Sequence, residues 1–169
     1  NFKDLRPFLY FSTSAYFLQG LPVYYQLYGC KCGKQSLTIG TKGIRTAELY
    51  LNRAEAYTRK FIALGDDNDR KLALADLNNL RRHRYDTRNV AYEPKDYRNG
   101  SDLLEFCKEE RRRELCFEDH RWFDLRRYGM PSFTHTYFIN TDNKEVITLT
   151  EEDPRYVLPI PKLALDRNP

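Results

Sequence analysis

The sequence predicts a mainly α-helical fold: tetratricopeptide-like helix pairs, one long charged helix, short strands and extended segments. Two stretches, residues 43–64 and 69–85, repeat apolar side chains at helical spacing. A third stretch, which starts at Ser101 and ends at Gly129, is dense in charge yet keeps an apolar stripe when projected as a helix. The remaining segments are rich in tyrosine, glycine and proline, a composition that favours short strands and turns.

The composition limits the class of protein. A chain of 169 residues, 41% of them hydrophobic and 14% aromatic, can bury one core and is not typical of disorder. Its 28 basic residues are interleaved with 24 acidic ones, so the net charge of +4 does not predict a nucleic-acid surface. No apolar run reaches the ~18 residues of a membrane-spanning helix, and no signal peptide opens the chain. We therefore expect a single region over residues 1–169 that is a piece of a larger protein.

Residues 1–42 form an irregular, strand-rich part in this prediction. Phe8–Phe11 and Val23–Tyr28 have strand propensity, with a turn at residues 20–22 between them. Cys30 and Cys32 lie in a second tight turn, where a Cys-x-Cys pair can bind metal. A structural zinc site needs two further ligands at suitable spacing, and the other cysteine and histidine residues of the chain are isolated from one another in the sequence. We predict a solvent-facing loop there, with neither metal nor cofactor.

Residues 43–129 form the helical part, beginning with a helix pair. Gly65 is a natural end for the first helix, and residues 66–68 supply an N-cap for the second. Small alanines allow the two helices to pack closely, as in a tetratricopeptide unit, although one copy only is visible and its loop is longer than that repeat allows. Arg81 and Arg84 lie on the apolar side of the second helix. Phosphate binding is one interpretation of this basic run; we favour ion pairs with buried carboxylates.

The long helix places three carboxylates in the middle of its apolar face. Ser101 is its predicted N-cap, and Gly129 with Pro131 ends it. At about 100° per residue, one arc of roughly 80° collects apolar and charged residues together. The members of this arc are Leu103, Cys107, Glu110, Glu114, Glu118, Arg121 and Leu125.

Buried carboxylates are costly unless they are paired, so cationic partners must lie near. A metal or acid–base site is one interpretation, but a di-metal bundle site needs a Glu-x-x-His pair, which the chain lacks. We predict a structural ion-pair network instead. Its expected members are Glu110, Glu114, Glu118, Arg121, Arg81 and Arg84.

Residues 130–169 are predicted to form a hairpin and an extended tail. Thr134–Asn140 and Glu145–Thr150 alternate enough for short strands, joined by a turn at residues 141–144. Tyr156–Ile160 is apolar and flanked by prolines, so we expect it to pack in extended form near the long helix. No phosphate loop, Gly-x-Ser-x-Gly or His-Glu-x-x-His motif occurs, and we expect no enzyme.

A family resemblance covers nearly the whole chain. The string ERRRELCFEDHRWFDLRR at 110–127 resembles the characteristic helix of the RagB/SusD family of nutrient-binding lipoproteins. Further matches in the family's order are DLR at 4–6, IRTAELYLNRAEAY at 44–57, LADLNNLRRHRY at 74–85 and YVLPIPKLALDRNP at 156–169. Two residues depart from the pattern: Asp119, where the family usually has glycine, and Cys116, in place of a small residue.

The resemblance implies a non-catalytic binding protein on the outward face of the outer membrane. Such proteins cap a TonB-dependent, SusC-like transporter and capture oligosaccharides or other nutrients for import. A lipid anchor on a cysteine upstream of Asn1 would then be the only membrane attachment. Sugar sites use aromatic platforms, but the motifs carry fold rather than ligand identity, so no ligand contact is assigned. There are five candidate platforms, and we favour a packing or loop role over ligand contact for each: Tyr24, Tyr25, Tyr28, Tyr92 and Tyr97.

The alternative hypothesis is a helical-repeat scaffold for protein–protein contact, with no ligand of its own. Cys116 and Phe123 project onto the otherwise polar side of the long helix, seven residues apart. An exposed apolar pair of this kind is typical of a contact surface. Sugar-specific binding by the whole protein would separate the two hypotheses.

Overall fold

The structure, a computed structural model, describes residues 4–10, 14–18, 21–25, 44–139 and 143–167. The predicted mainly α class with short strands is confirmed. In chain order the elements are α1 (Arg6–Tyr10), β1 (Ser14–Leu18), β2 (Leu21–Tyr25), α2 (Thr46–Leu64), α3 (Asp67–Arg82), α4 (Gly100–Glu114), α5 (His120–Arg127), β3 (Phe133–Phe138), β4 (Lys144–Leu149), a 3₁₀ helix (Pro154–Tyr156) and α6 (Lys162–Arg167).

The chain forms two compact units, Asn1–Glu118 and Asp119–Pro169. Among the described residues, no helix combines the length and apolarity needed to cross a membrane. The expectation of a single region over residues 1–169 stays a prediction.

The predicted helix pair of the first unit is present, with three of its four ends shifted by two or three residues: α2 begins at Thr46 instead of Gly43, and α3 spans Asp67–Arg82 instead of residues 69–85. Gly65 takes the left-handed conformation (φ 74°) that ends α2, and its N–H donates to the Phe61 carbonyl at 2.8 Å. The Asp66 carboxylate then caps α3 by accepting from the Asn68 N–H at 2.9 Å. The loop between the helices is therefore two residues long, because α3 starts at Asp67 rather than at the predicted Asp69.

The core of the first unit lies where α2 packs against α3 and α4. Small residues such as Ala54 and Ala73 are fully buried and let the helices approach closely. Cys107 is also buried, and its sulfur lies 3.3 Å from the Thr58 hydroxyl. The buried hydrophobic members are Ala47, Leu51, Ala54, Ala73, Leu74, Leu77, Leu80, Leu103, Phe106, Cys107 and Leu115.

The strand predicted at Phe8–Phe11 is wrong, because residues 6–10 form the short helix α1. Asp4 accepts from the backbone N–H of Arg6 at 3.0 Å and also binds its guanidinium, which turns the chain into this helix. The Leu5 N–H bonds to the Arg84 carbonyl at 2.8 Å and ties the segment to the end of α3. Strand propensity is overridden here by these tertiary contacts.

The other predictions for residues 1–42 are only partly within the described residues. β1 and β2 pair antiparallel from Ser14↔Tyr25 to Leu18↔Leu21. The strand predicted at Val23–Tyr28 overlaps β2 up to Tyr25, and its last three residues lie outside the described residues. So do Gly20 of the predicted turn and the loop that contains Cys30 and Cys32.

The single long helix predicted for residues 101–129 is wrong, because the chain breaks into α4 and α5 at residues 115–119. Phe117 (φ 62°) and Asp119 (φ 63°) both adopt left-handed backbone conformations, which an α-helix does not tolerate. Aspartate accepts this conformation more readily than most residues, and the family's usual glycine at position 119 would accept it most readily. The predicted N-cap Ser101 is also corrected: Asn99 caps α4 by accepting from the Ser101 N–H at 2.9 Å.

The second unit is built around one buried aromatic residue. Tyr156 is 0% exposed and packs with Leu125 and Leu149. The Trp122 ring lies 5.1 Å from the Tyr156 ring, and its Nε1–H donates to the Tyr156 carbonyl at 3.2 Å. The Tyr156 hydroxyl in turn donates to the Pro131 carbonyl.

The hairpin predicted in this unit is present, with β3 and β4 each within a residue or two of the expected bounds. Asn140 of the first predicted strand and residues 141–142 of the predicted turn lie outside the described residues, and Lys144 of that turn is the first residue of β4. The tail prediction is confirmed for Tyr156, which packs against α5, and wrong for Val157, Leu158 and Ile160, which are exposed. Tyr156 belongs to a 3₁₀ helix rather than an extended segment, because the Asp153 side chain accepts from the Arg155 N–H at 2.9 Å.

Candidate functional site

Two carboxylates lie in the core of the first unit, one helical turn apart on α4. Glu110 and Glu114 are both 0% exposed, on the face that also buries Leu103 and Cys107. The spacing of four residues in a helix places them on the same side. An uncompensated carboxylate here would cost several kcal/mol, so its partners determine what the site is.

Glu110 is held between two buried arginines from different elements. Its Oε1 accepts from the Arg6 guanidinium and its Oε2 from that of Arg81. A weaker contact joins Oε2 to Arg113 at 3.4 Å. Arg81 also donates to the Tyr85 hydroxyl at 2.7 Å. One carboxylate therefore links α1, α3 and α4 through charge-assisted hydrogen bonds.

Glu114 binds arginines that reach partly into solvent. Arg84 donates to both carboxylate oxygens at 2.9 Å, a bidentate pair. Arg45 donates to Oε1 at 3.2 Å and to the Glu114 carbonyl at 3.1 Å. The same Arg45 side chain reaches Glu118 at 2.9 Å, and Glu118 is only partly buried. Glu118 therefore lies at the rim, beyond the end of α4.

The structure places five of the six predicted network residues together: Glu110, Glu114, Glu118, Arg81 and Arg84. Arg121 lies in α5 of the second unit and its side chain is exposed. The projection that put Arg121 in the same arc assumed one continuous helix, and the break at residues 115–119 removes that assumption.

Arg6 is a residue of the ion-pair network that the sequence patterns did not predict. It is buried and binds Asp4 as well as Glu110. Nothing in the local pattern of residues 1–10 indicates a buried arginine. The only sequence signal for Arg6 is the DLR string at 4–6, which contributes to the family resemblance but does not indicate that Arg6 is buried.

The arrangement leaves little capacity for chemistry. Each carboxylate oxygen of Glu110 and Glu114 already accepts from an arginine, and both side chains are 0% exposed, so their charges are neutralised within the core. Within the part of the chain that the structure describes, no group of three His, Cys, Asp or Glu is placed to hold a metal ion. The geometry is that of a packed ion-pair network.

The arginines keep the Glu114 and Asp4 carboxylates ionised. Burial alone would raise the pKa of Glu114, but the hydrogen bonds and charges of Arg84 and Arg45 outweigh it and hold that pKa below the ordinary value of 4.5. The pKa of Asp4 is likewise lowered from 3.8, because its bonds with Arg6 outweigh its partial burial. Both groups are charged at neutral pH.

These lowered pKa values predict a loss of stability in acid. The unfolded chain takes up protons on Glu114 and Asp4 at a higher pH than the folded chain does, so their contribution is present above their unfolded pKa values and is lost as the pH falls through the folded ones. Urea unfolding between pH 7 and pH 3 would measure this, and the difference between wild type and Glu114→Gln is expected to shrink below a pH of about 4.5. A difference that stayed constant with pH would contradict the assignment.

Two candidate aromatic platforms are packing residues. Tyr97 is partly buried, and its ring lies 4.7 Å from that of Phe106. The Tyr92 hydroxyl donates to Asn78 at 2.8 Å, and its ring packs edge-on against Tyr85. Tyr24 and Tyr25 are in β2, with side chains outside the described set, and Tyr28 lies outside the described residues.

The chain is similar to one protein family and to a solved structure. A family model described as the SusD family matches residues 11–169. Among solved structures, a SusD-like protein from Bacteroides fragilis NCTC 9343 has 26% sequence identity and a TM-score of 0.46 to this chain. That match covers 72% of this chain and 23% of the other, so the chain spans about a quarter of that structure's length. No curated protein matches the chain.

Proposed function

The chain belongs to the SusD family, and on that premise we propose that it is part of a non-catalytic nutrient-binding protein of the cell surface. The nutrient class that we propose is an oligosaccharide. The observation that carries this proposal is the family match, which extends over residues 11–169. The buried carboxylates support the non-catalytic part, because arginines occupy the oxygens that acid–base chemistry would need.

The proposed location is the outward face of the outer membrane, in partnership with a TonB-dependent, SusC-like transporter. The proposed attachment to the membrane is a lipid anchor. In this proposal the protein captures the nutrient and the transporter carries it across the membrane.

The ion-pair network is proposed to be structural rather than ligand-binding. Its acidic and basic groups neutralise one another inside the helical core, with Glu118 and Arg84 at the partly exposed rim. Such a network can hold helices in one arrangement without contacting a ligand. We assign no ligand-contacting residue.

An oligosaccharide array probed with the full-length protein tests the proposed function. We expect binding to a restricted set of glycans, and Glu114→Gln is expected to keep the same preference while it lowers stability. The matched control is the exposed substitution Glu109→Gln, which removes a carboxylate from the same helix and leaves Glu110 and Glu114 with their arginine partners. Absence of any glycan binding by the folded protein would contradict the oligosaccharide class.

A second candidate is a protein–protein scaffold, and exposed apolar side chains favour it. Phe123 on α5 and the run Val157, Leu158 and Ile160 are all exposed, although each is large and apolar. Exposed apolar surface of this kind is typical of contact with another protein. Co-purification of a stable protein partner without any glycan preference would favour this candidate over nutrient binding.

A further inference from the structure

In the hairpin of the second unit, the register shows which backbone groups of β3 point away from β4. β3 and β4 pair antiparallel with Phe133 opposite Leu149, and the Ile139 N–H donates to the Asn143 carbonyl at 3.0 Å. In an antiparallel pair, hydrogen-bonded positions alternate with positions whose backbone groups point away from the partner strand. The groups that point away from β4 therefore belong to Thr134, Thr136 and Phe138.

Side-chain contacts support this assignment. The Ser132 hydroxyl donates to the Leu149 carbonyl at 2.9 Å, as expected if that carbonyl faces β3. Thr134 and Thr148, which are opposite each other, are joined by their hydroxyls at 3.0 Å, the closer side-chain approach of a non-hydrogen-bonded pair.

The two outer edges of the hairpin differ. On β4 the Thr148 carbonyl accepts from the Arg155 guanidinium at 3.0 Å, and Asp153 holds that guanidinium at 2.7 Å. On β3 the outward backbone groups of Thr134, Thr136 and Phe138 have no hydrogen-bond partner among the described residues. One edge is therefore partly closed and the other is open.

The open edge lacks the usual protection against pairing. Proteins protect edge strands with lysine, proline, inward charges or bulges. Residues 133–139 contain no charged residue and no proline, and they include Tyr137, Phe138 and Ile139, which are 57%, 66% and 56% exposed. A two-stranded hairpin is marginal by itself, so an added strand would stabilise it.

We propose that the open edge binds a second copy of this chain, with β3 paired antiparallel to β3 about a two-fold axis at Thr136. Thr136 then lies opposite Thr136 of the second copy, and Thr134 lies opposite Phe138 of the second copy. Every outward backbone N–H and C=O of these three residues gains a partner in this register. A shift to either side leaves one of the three without a partner.

The side chains of the strand suit this symmetric pairing. The register places Phe133 opposite Ile139 of the second copy, and His135 opposite Tyr137 of the second copy, so exposed apolar and aromatic groups meet. A two-fold axis brings identical charges close together when a strand carries them, and β3 carries none. The two-fold pairing uses the open edge of both copies, and on β4 the Arg155 guanidinium occupies the Thr148 carbonyl.

Sedimentation equilibrium of the full-length protein tests the proposal. Wild type is expected to dimerise, and Thr136→Lys, which sets two like charges opposite each other at the axis, is expected to raise the dimer dissociation constant about a hundredfold. The matched control is Val146→Lys. Val146 is the cross-strand partner of Thr136 and is exposed, but it lies on the strand away from the axis, so this variant is expected to dimerise like wild type.

A second measurement tests the proposal on the wild type, in case Thr136→Lys does not fold. Hydrogen exchange on wild type is expected to show protection of the Thr134, Thr136 and Phe138 amides that increases with protein concentration. A wild-type chain that stays monomeric up to millimolar concentration would overturn the proposal. So would a dimer that Thr136→Lys leaves unchanged, or protection that does not vary with concentration.

Discussion

Glu110→Gln is expected to lower the free energy of unfolding by about 3–5 kcal/mol, the range for breaking a buried ion pair by removing one partner. The substitution removes the buried carboxylate that pairs with Arg81 and that pairs, together with Asp4, with Arg6. Glutamine keeps the size of the side chain, so the loss reports charge rather than a cavity. Urea unfolding followed by far-ultraviolet circular dichroism measures it, because the first unit contains the long helices α2, α3 and α4.

Two variants on the same helix sharpen this experiment. Glu114→Gln is expected to cost less, about 3 kcal/mol, because its partners Arg84 and Arg45 reach solvent and can be hydrated after the change. Glu109→Gln breaks only an exposed pair with Arg113 and is expected to cost about 0.5 kcal/mol or less. Equal losses for Glu109 and Glu110 would contradict the buried network.

Tyr156→Ala is expected to destabilise the second unit by about 3–5 kcal/mol, the cost of truncating a fully buried aromatic side chain. The change removes the packing of the ring against Trp122, Leu125 and Leu149 and opens a cavity in a small core. Trp122 is the only tryptophan in the chain, so its fluorescence during urea unfolding reports this unit directly. Truncation after Asp153 deletes the same ring and is expected to destabilise the unit at least as much.

The neighbouring residues of the tail supply the controls. Tyr156→Phe keeps the ring and removes only the hydroxyl bonded to Pro131, an expected cost of about 1 kcal/mol. Leu158→Ala lies two residues away and is exposed, so a change within about 0.5 kcal/mol is expected. If Leu158→Ala lowered stability as much as Tyr156→Ala, the whole tail rather than one residue would anchor the unit.

Local sequence patterns were sufficient to predict much of the helical part. The apolar repeat, Gly65 and the Asp66 cap located α2 and α3, because these signals act through the backbone of the residues that carry them. The projection of α4 likewise identified Glu110 and Glu114 as buried, since a continuous helix fixes the direction of each side chain. The projection that included Arg121 assumed one continuous helix, which the break at residues 115–119 rules out, so the place of Arg121 in the network stays a prediction.

The sequence by itself determined the helical class, the family and the burial of two carboxylates, because each depends on periodicity or on motifs within one segment. The sequence also indicated Arg81 and Arg84 as partners of those carboxylates, whereas only the tertiary structure added Arg6 and Arg45. Arg6 is more than a hundred positions from Glu110 in the chain, and no local spacing relates the two. The same holds for Tyr156, which is buried while Val157 beside it is exposed, because burial depends on where Trp122 and Leu149 come to lie around it.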